Sequence, residues 1–164
     1  FVQCQAEFRL PKEVGVTSNW DDHSVNSHIF DSYRLKLPSL DQSVSALIGD
    51  LHERGLNERV LFIFCGEFGR TPRIFYQDAS KRPGRDHWAA VYSGLFAGAG
   101  VKGGQVIGRS DRIGAYPTDS PFTPYDVGAT IYHALGLESD AEVRDVVNRP
   151  WRLNTGQVIQ PLFS

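Results

Sequence analysis

Cys65-Gly66-Glu67-Phe68-Gly69-Arg70-Thr71-Pro72 directly follows the apolar run Val60-Leu61-Phe62-Ile63-Phe64. The run reads as a strand. A glycine-flanked turn that delivers a carboxylate and an arginine at the carboxyl end of a strand lies where open α/β sheets place their ligand sites. The connection continues to Gly84-Arg85-Asp86-His87-Trp88, roughly twenty residues in all, longer than the structureless loops that compact domains usually carry. With Pro72 and its Trp and Phe anchors it reads as an ordered functional loop. A second concentration of reactive side chains, Trp20-Asp21-Asp22-His23, falls in the polar stretch Thr17 to Asn26.

Carboxylate oxygens together with imidazole nitrogens suit zinc or manganese, or, with more oxygen donors, magnesium or calcium. The two loops meet if the intervening helix crosses back to an adjacent strand, and Asp21, Asp22, His23, Glu67, Asp86 and His87 then supply a mixed oxygen and nitrogen site. Taken one at a time, the same side chains serve equally well as hydrogen-bonded loop carboxylates and imidazoles. Arg70, Arg73 and Arg85 flank the loop, and a guanidinium fork matches two oxygens of a phosphate or sulfate. Alternatively, Arg70 pairs with Glu67 or Asp86 and stiffens the turn.

The elements that must position these groups read as α/β. Ser39 and Gln42 form a capping box after Pro38, Leu40, Val44, Leu47, Ile48 and Leu51 recur at helical spacing, and Gly55 stops the helix. The chain then enters the strand at Val60, a helix-to-strand step typical of parallel sheets. Ala89 to Ala97 reads as the next strand and the glycines of Gly98 to Gly104 as a turn before a short strand at Gln105 to Gly108. No helix pattern opens after those glycines, which argues against a phosphate-binding loop. Thr123-Pro124-Tyr125-Asp126 begins a second helix with Thr as cap and Pro in its first turn. Glu138 to Arg149 reads as a lid or surface connection, and Val158 to Phe163 as an edge strand because Pro161 cannot donate to a central ladder. A short extended segment is expected at Glu7 to Leu10.

At 164 residues the chain suits one domain that buries about two thirds of its unfolded surface. Seventeen basic and 19 acidic residues leave a net charge of -2, which gives no footprint for nucleic acid or an anionic membrane. No apolar run approaches the roughly eighteen residues of a membrane span. Cys4 and Cys65 make neither a disulfide framework nor a thiolate zinc site, and Cys65 reads as a packed strand end. The chain starts without Met and contains none, which reads as a true start lying upstream.

Trp20-Asp21-Asp22-His23, Leu37-Pro38-Ser39-Leu40-Asp41, Gly66-Glu67-Phe68-Gly69-Arg70-Thr71-Pro72 and Gly84-Arg85-Asp86-His87-Trp88, in that order, resemble the DUF1501 family. The likeness runs through Leu137. That family is common in planctomycetes, often carries a twin-arginine export signal, and is similar to the alkaline phosphatase and sulfatase superfamily. The resemblance implies a three-layer α/β fold, a mostly parallel sheet flanked by helices, of which residues 1–164 form the carboxyl-terminal part of a larger domain. It implies an exported or periplasmic location and a divalent metal (zinc, manganese or calcium) held by Asp21, His23, Glu67 and His87. Phe68 stands where the superfamily carries a further ligand His, and its nucleophilic Ser or Thr follows an earlier strand. Thr71 and Ser24 are poor substitutes for it, since neither has a base beside it in sequence beyond its loop neighbours.

The expectation is a metal-assisted hydrolase of phosphate or sulfate esters, on small molecules or polysaccharides, with the anion clamped by Arg70 and Arg85. Its main rival is a non-catalytic secreted binding or structural protein in which the same residues staple two loops together. A carbohydrate-binding surface built on Trp20, Trp88 and Trp151 is a third reading.

Overall fold

The computed structural model describes residues 20–77, 79 and 81–164. The segment Glu7 to Leu10, Cys4 and the first residues of Thr17–Asn26 lie outside them. In chain order the elements are α1 (Ile29–Glu53), β1 (Phe62–Phe64), β2 (Gly69–Arg70), β3 (Phe75–Tyr76), β4 (Pro83–Gly84), β5 (His87–Trp88), β6 (Leu95–Ala97), β7 (Arg109–Ser110), β8 (Pro117–Asp119), α2 (Pro124–Ala134), β9 (Glu142–Arg144), β10 (Pro150–Arg152) and a 3-10 turn, Gln160–Leu162. All strand pairing among the described residues is antiparallel, in five separate pairs. No helix among them is long and apolar enough to cross a membrane.

The expected three-layer, mostly parallel sheet is therefore corrected. Parallel neighbours need a crossover, usually a helix of a dozen or more residues. Among the described residues between β1 and its partner β6 there is no helix, and β6 returns antiparallel, with Ile63 opposite Phe96. Ala89 to Ser93 does not extend it. Gln105 to Gly108 is likewise not a strand, and Val158 to Phe163 ends in the 3-10 turn. Pro161, with a fixed φ and no N–H, suits that turn. Cys65 is exposed rather than packed.

The chain divides into two compact units. The first contains the amino-terminal part through Asp50, Gly66–Ser93 and Asp111–Tyr116. Its long connection folds on itself: the β3–β4 pair is nested inside the β2–β5 pair, with Arg70 opposite His87. Trp88 is tied down by an Nε1–H donated to the Ala115 carbonyl at 2.6 Å. Helix α1 begins well before Pro38, which lies inside it. Ser39 is thus a mid-helix residue instead of a cap. Its buried stripe is Ile29, Ser32 and Lys36, one helical turn apart, whereas Leu47 is largely exposed.

Gly84 permits the closest approach in this unit. A β-carbon there would run into the backbone of His23 and Ser24. Gly84→Ala is therefore expected to cost at least about 2 kcal/mol, in the range of overpacking a filled interior. Urea unfolding checks this, and a loss under about 0.5 kcal/mol, the level of a neutral surface change, would contradict it.

The second unit contains Leu51–Cys65, Gly94–Ser110 and Pro117–Ser164. Gly55, at φ 67°, follows the end of α1, and Leu56 N–H reaches back to the Leu51 carbonyl at 2.8 Å, the closing bond of a helix C-cap. Helix α2 forms as its sequence reads. Thr123 Oγ1 accepts from Asp126 N–H and the Asp126 carboxylate accepts from Thr123 N–H, a complete capping box. Inside the unit Thr130, fully buried, donates to the Asp126 carbonyl and accepts from Ile159 N–H, fixing the carboxyl-terminal segment against α2. His133 packs edge-on against Phe163. The stretch Glu138 to Arg149 contains β9, paired with β10.

Candidate metal centre

The loop of residues 20–24 is held from below by a buried ion pair. Asp22 and Lys36 have no side-chain exposure, with Lys36 Nζ 3.0 and 3.2 Å from the two Asp22 oxygens. Ser27 Oγ donates to Asp22 Oδ1 at 2.7 Å, and Lys36 Nζ lies over the Trp20 ring. Two charges removed from water hold together only with such complete hydrogen bonding. With Asp22 turned inward, its neighbours Asp21 and His23 are left for the opposite side.

Arg70 and Arg85 fasten this loop to the β2–β5 pair. Arg70 Nη2–H donates to the Trp20 carbonyl at 2.6 Å and Nη1–H to the Arg85 carbonyl at 3.3 Å. Arg85 returns the contact, donating from Nε to the Thr71 carbonyl and from Nη2 to the Arg70 carbonyl. Its own N–H reaches the Asp22 carbonyl. Thr71 completes the lattice, since its N–H donates to the Asp86 carbonyl and its Oγ1 accepts from Asp86 N–H while donating to the Arg73 carbonyl.

On this frame three ligand-type atoms converge. His23 Nε2 is 2.8 Å from Asp21 Oδ1 and 3.1 Å from His87 Nε2, and His87 Nε2 is 3.3 Å from Asp21 Oδ1. Donors held about 2.0 to 2.2 Å from one cation lie about 2.8 to 3.6 Å apart across octahedral and tetrahedral geometries. The three edges fall close to that range, so the residues present fit a metal ion. The two imidazoles meet edge to face, and Phe68 lies against His87 with ring centroids 4.1 Å apart. His23 Nδ1, on the other edge of its ring, is 2.7 Å from Asp86 Oδ1.

Asp21 and His87 are each about half exposed, at 49% and 52%, whereas His23 is mostly covered at 23%. The site is thus open on one side. Partial burial pushes the Asp21 carboxyl up, but the hydrogen bond to His87, the charge of His23, and the hydrogen bond and charge of Arg70 outweigh it and hold the group below its ordinary 3.8. Below the site, burial and the Asp22 charge raise the Tyr33 hydroxyl against the opposing pull of Arg70 and Arg85.

Of the residues singled out by sequence, Asp21, His23 and His87 come together. Glu67 does not join them. It is exposed on the turn before β2, and among the described residues its carboxylate makes no hydrogen bond or ion pair. Arg70 stands beside the three atoms, 3.4 Å from Asp21 Oδ1 and 3.5 Å from His23 Nε2. Arg85 is turned onto the main-chain carbonyls of Thr71 and Arg70. Sequence reasoning missed Lys36, whose only signal is a charge placed one turn beyond Ile29 and Ser32 on α1. The cation stacked in reach of Trp20 is visible only in three dimensions.

A family model described as "Protein of unknown function (DUF1501)" matches residues 1–163. No curated protein and no solved structure matches the chain.

Proposed function

The chain belongs to the DUF1501 family, whose function is unknown, and from its site we propose a divalent-metal centre that assists hydrolysis of phosphate or sulfate esters. The observation that carries the proposal is the convergence of Asp21 Oδ1, His23 Nε2 and His87 Nε2 within hydrogen-bond distance of one another. A carboxylate oxygen and an unprotonated imidazole nitrogen are both acceptors. They attract at 2.8 Å only through a positive centre between them, a proton or a cation.

Two nitrogens and one carboxylate favour zinc or manganese over calcium, which prefers six to eight oxygens. A bound cation of this kind would polarise an ester oxygen and lower the pKa of the attacking group, an effect of several kcal/mol on the barrier. Asp21 and His87 present the open side to the ester, and His23 closes the protected side. Arg70 adds fixed positive charge next to that face for the non-bridging oxygens of a tetrahedral anion. The Thr71 hydroxyl is committed to Arg73 and Asp86, so water is the attacking group in this reading. The spacing of Asp21, His23 and His87 also resembles metal-binding loops of the alkaline phosphatase and sulfatase superfamily, a likeness of these residues and not of the sheet.

One observation favours a second reading, a non-catalytic binding or structural protein. Arg70 and Arg85 exchange hydrogen bonds with each other's carbonyls, as a loop staple would, and Glu67 stands apart. Incubation of the chain with Zn²⁺ or Mn²⁺ and p-nitrophenyl phosphate or p-nitrophenyl sulfate separates the two. The proposal expects p-nitrophenol release that a chelator stops and added metal restores. Metal binding without turnover of either ester would favour the second reading.

A further inference from the structure

We infer that Asp86 is a positioning residue that fixes the ring and tautomer of His23 and so sets the metal affinity of the site, an inference that rests on the metal reading above. The dipeptide Asp86-His87 holds His23 in a fork. His87 Nε2 meets one ring nitrogen at 3.1 Å, and Asp86 Oδ1 meets the other at 2.7 Å. The two nitrogens of an imidazole point away from each other, so Asp86 stands on the far edge of the ring from Asp21 and His87 and takes no place among the three converging atoms.

A carboxylate accepts hydrogen bonds and donates none. At 2.7 Å the proton between Asp86 and His23 therefore sits on Nδ1, which leaves Nε2, the atom that faces Asp21 and His87, to meet the cation. Free histidine divides between two tautomers, and a ring free to turn about its side-chain bonds also loses direction. A carboxylate partner removes both freedoms and raises the basicity of the ligating nitrogen, which is how second carboxylates tune histidine ligands at metal sites.

Asp86 is itself well fixed. Its main-chain N–H and carbonyl both bond to Thr71, and the next residue, His87, is paired with Arg70 across β2–β5. The ligand His87 and the orienting carboxylate Asp86 are consequently adjacent in sequence and rigidly coupled. Because main-chain bonds hold this segment, removing the carboxylate leaves the loop pairing in place. Placed at this short distance, Asp86 makes Gly84-Arg85-Asp86-His87-Trp88 a motif that supplies one ligand directly and a second ligand's orientation.

Two readouts test the inference. Long-range ¹H–¹⁵N correlation spectra of the Zn²⁺-loaded chain should show His23 bound through Nε2 with its proton on Nδ1. Asp86→Ala should shift that proton out of its hydrogen-bonded position. Titration with Zn²⁺ alone, followed calorimetrically, should give about a 10- to 100-fold weaker Kd for Asp86→Ala. His23 bound to Zn²⁺ through Nδ1 in the unaltered chain would overturn the inference without any variant, and so would an unchanged Zn²⁺ affinity in a folded Asp86→Ala chain. Absence of Zn²⁺ binding by the unaltered chain would instead overturn the metal reading itself, whatever the tautomer of His23.

Discussion

Lys36→Met is expected to destabilise the chain by about 3 to 5 kcal/mol, the loss that follows removal of one partner from a buried ion pair. Asp22 and Lys36 have no exposed side-chain surface, so methionine would take the lysine charge away from a carboxylate that is out of reach of water. Methionine approximates the volume of the lysine stem, which keeps the cavity contribution small. The effect should be non-additive. With Asp22→Asn as well, the uncompensated charge disappears, and the double variant should be less destabilised than Lys36→Met alone. Urea unfolding of the two single variants and the double variant measures the coupling. A Lys36→Met loss within about 0.5 kcal/mol, typical of a surface site, would contradict the burial of this pair. Because Asp22 lies between Asp21 and His23, the same variant should weaken metal binding even where the chain remains folded.

His87→Ala is expected to abolish specific metal binding. It removes one of the three donors that converge among the described residues and leaves Asp21 and His23 with a two-atom site, too few for a stable zinc complex, whose catalytic sites use three protein ligands. His23→Ala should do the same and in addition leave the Asp86 carboxylate without its partner. Glu67→Ala is the contrasting variant: its carboxylate is exposed and lies outside the group formed by Asp21, His23 and His87, so binding should persist. Calorimetric titration with Zn²⁺ and Mn²⁺ distinguishes them. Equal loss in Glu67→Ala and His87→Ala would mean that the turn carrying Glu67 closes over the site when a cation enters.

Local chemistry was legible in the sequence and long-range pairing was not. Helix α2 follows from Thr123, Pro124 and Asp126, which act on their own neighbours within one turn. Pro38 and Ser39 misled because a proline before a serine has the form of a helix start, whereas α1 runs through both. Apolar β1 after a helix looked like one strand of a parallel sheet, but which strand pairs with which depends on the connection. Here the connection folds into short antiparallel pairs of its own. For the site, residue types pointed to Asp21, Asp22, His23, Glu67, Asp86 and His87 as a mixed carboxylate and imidazole set, and of these Asp21, His23 and His87 converge. Sequence gave no direction for the Glu67 side chain, and a position at the end of a strand did not bring it to the cluster. The Arg70 and Arg85 staple was equally hidden, since its acceptors are main-chain carbonyls that any residue supplies.

The central claim is that Asp21, His23 and His87 hold one divalent cation. Metal content of the purified chain by inductively coupled plasma mass spectrometry, after equilibration with Zn²⁺ or Mn²⁺ and removal of excess, tests it most directly. The account predicts about one ion per chain, as three donors around one centre require, and none in His87→Ala. A folded, unaltered chain that retains no metal after either incubation would contradict it.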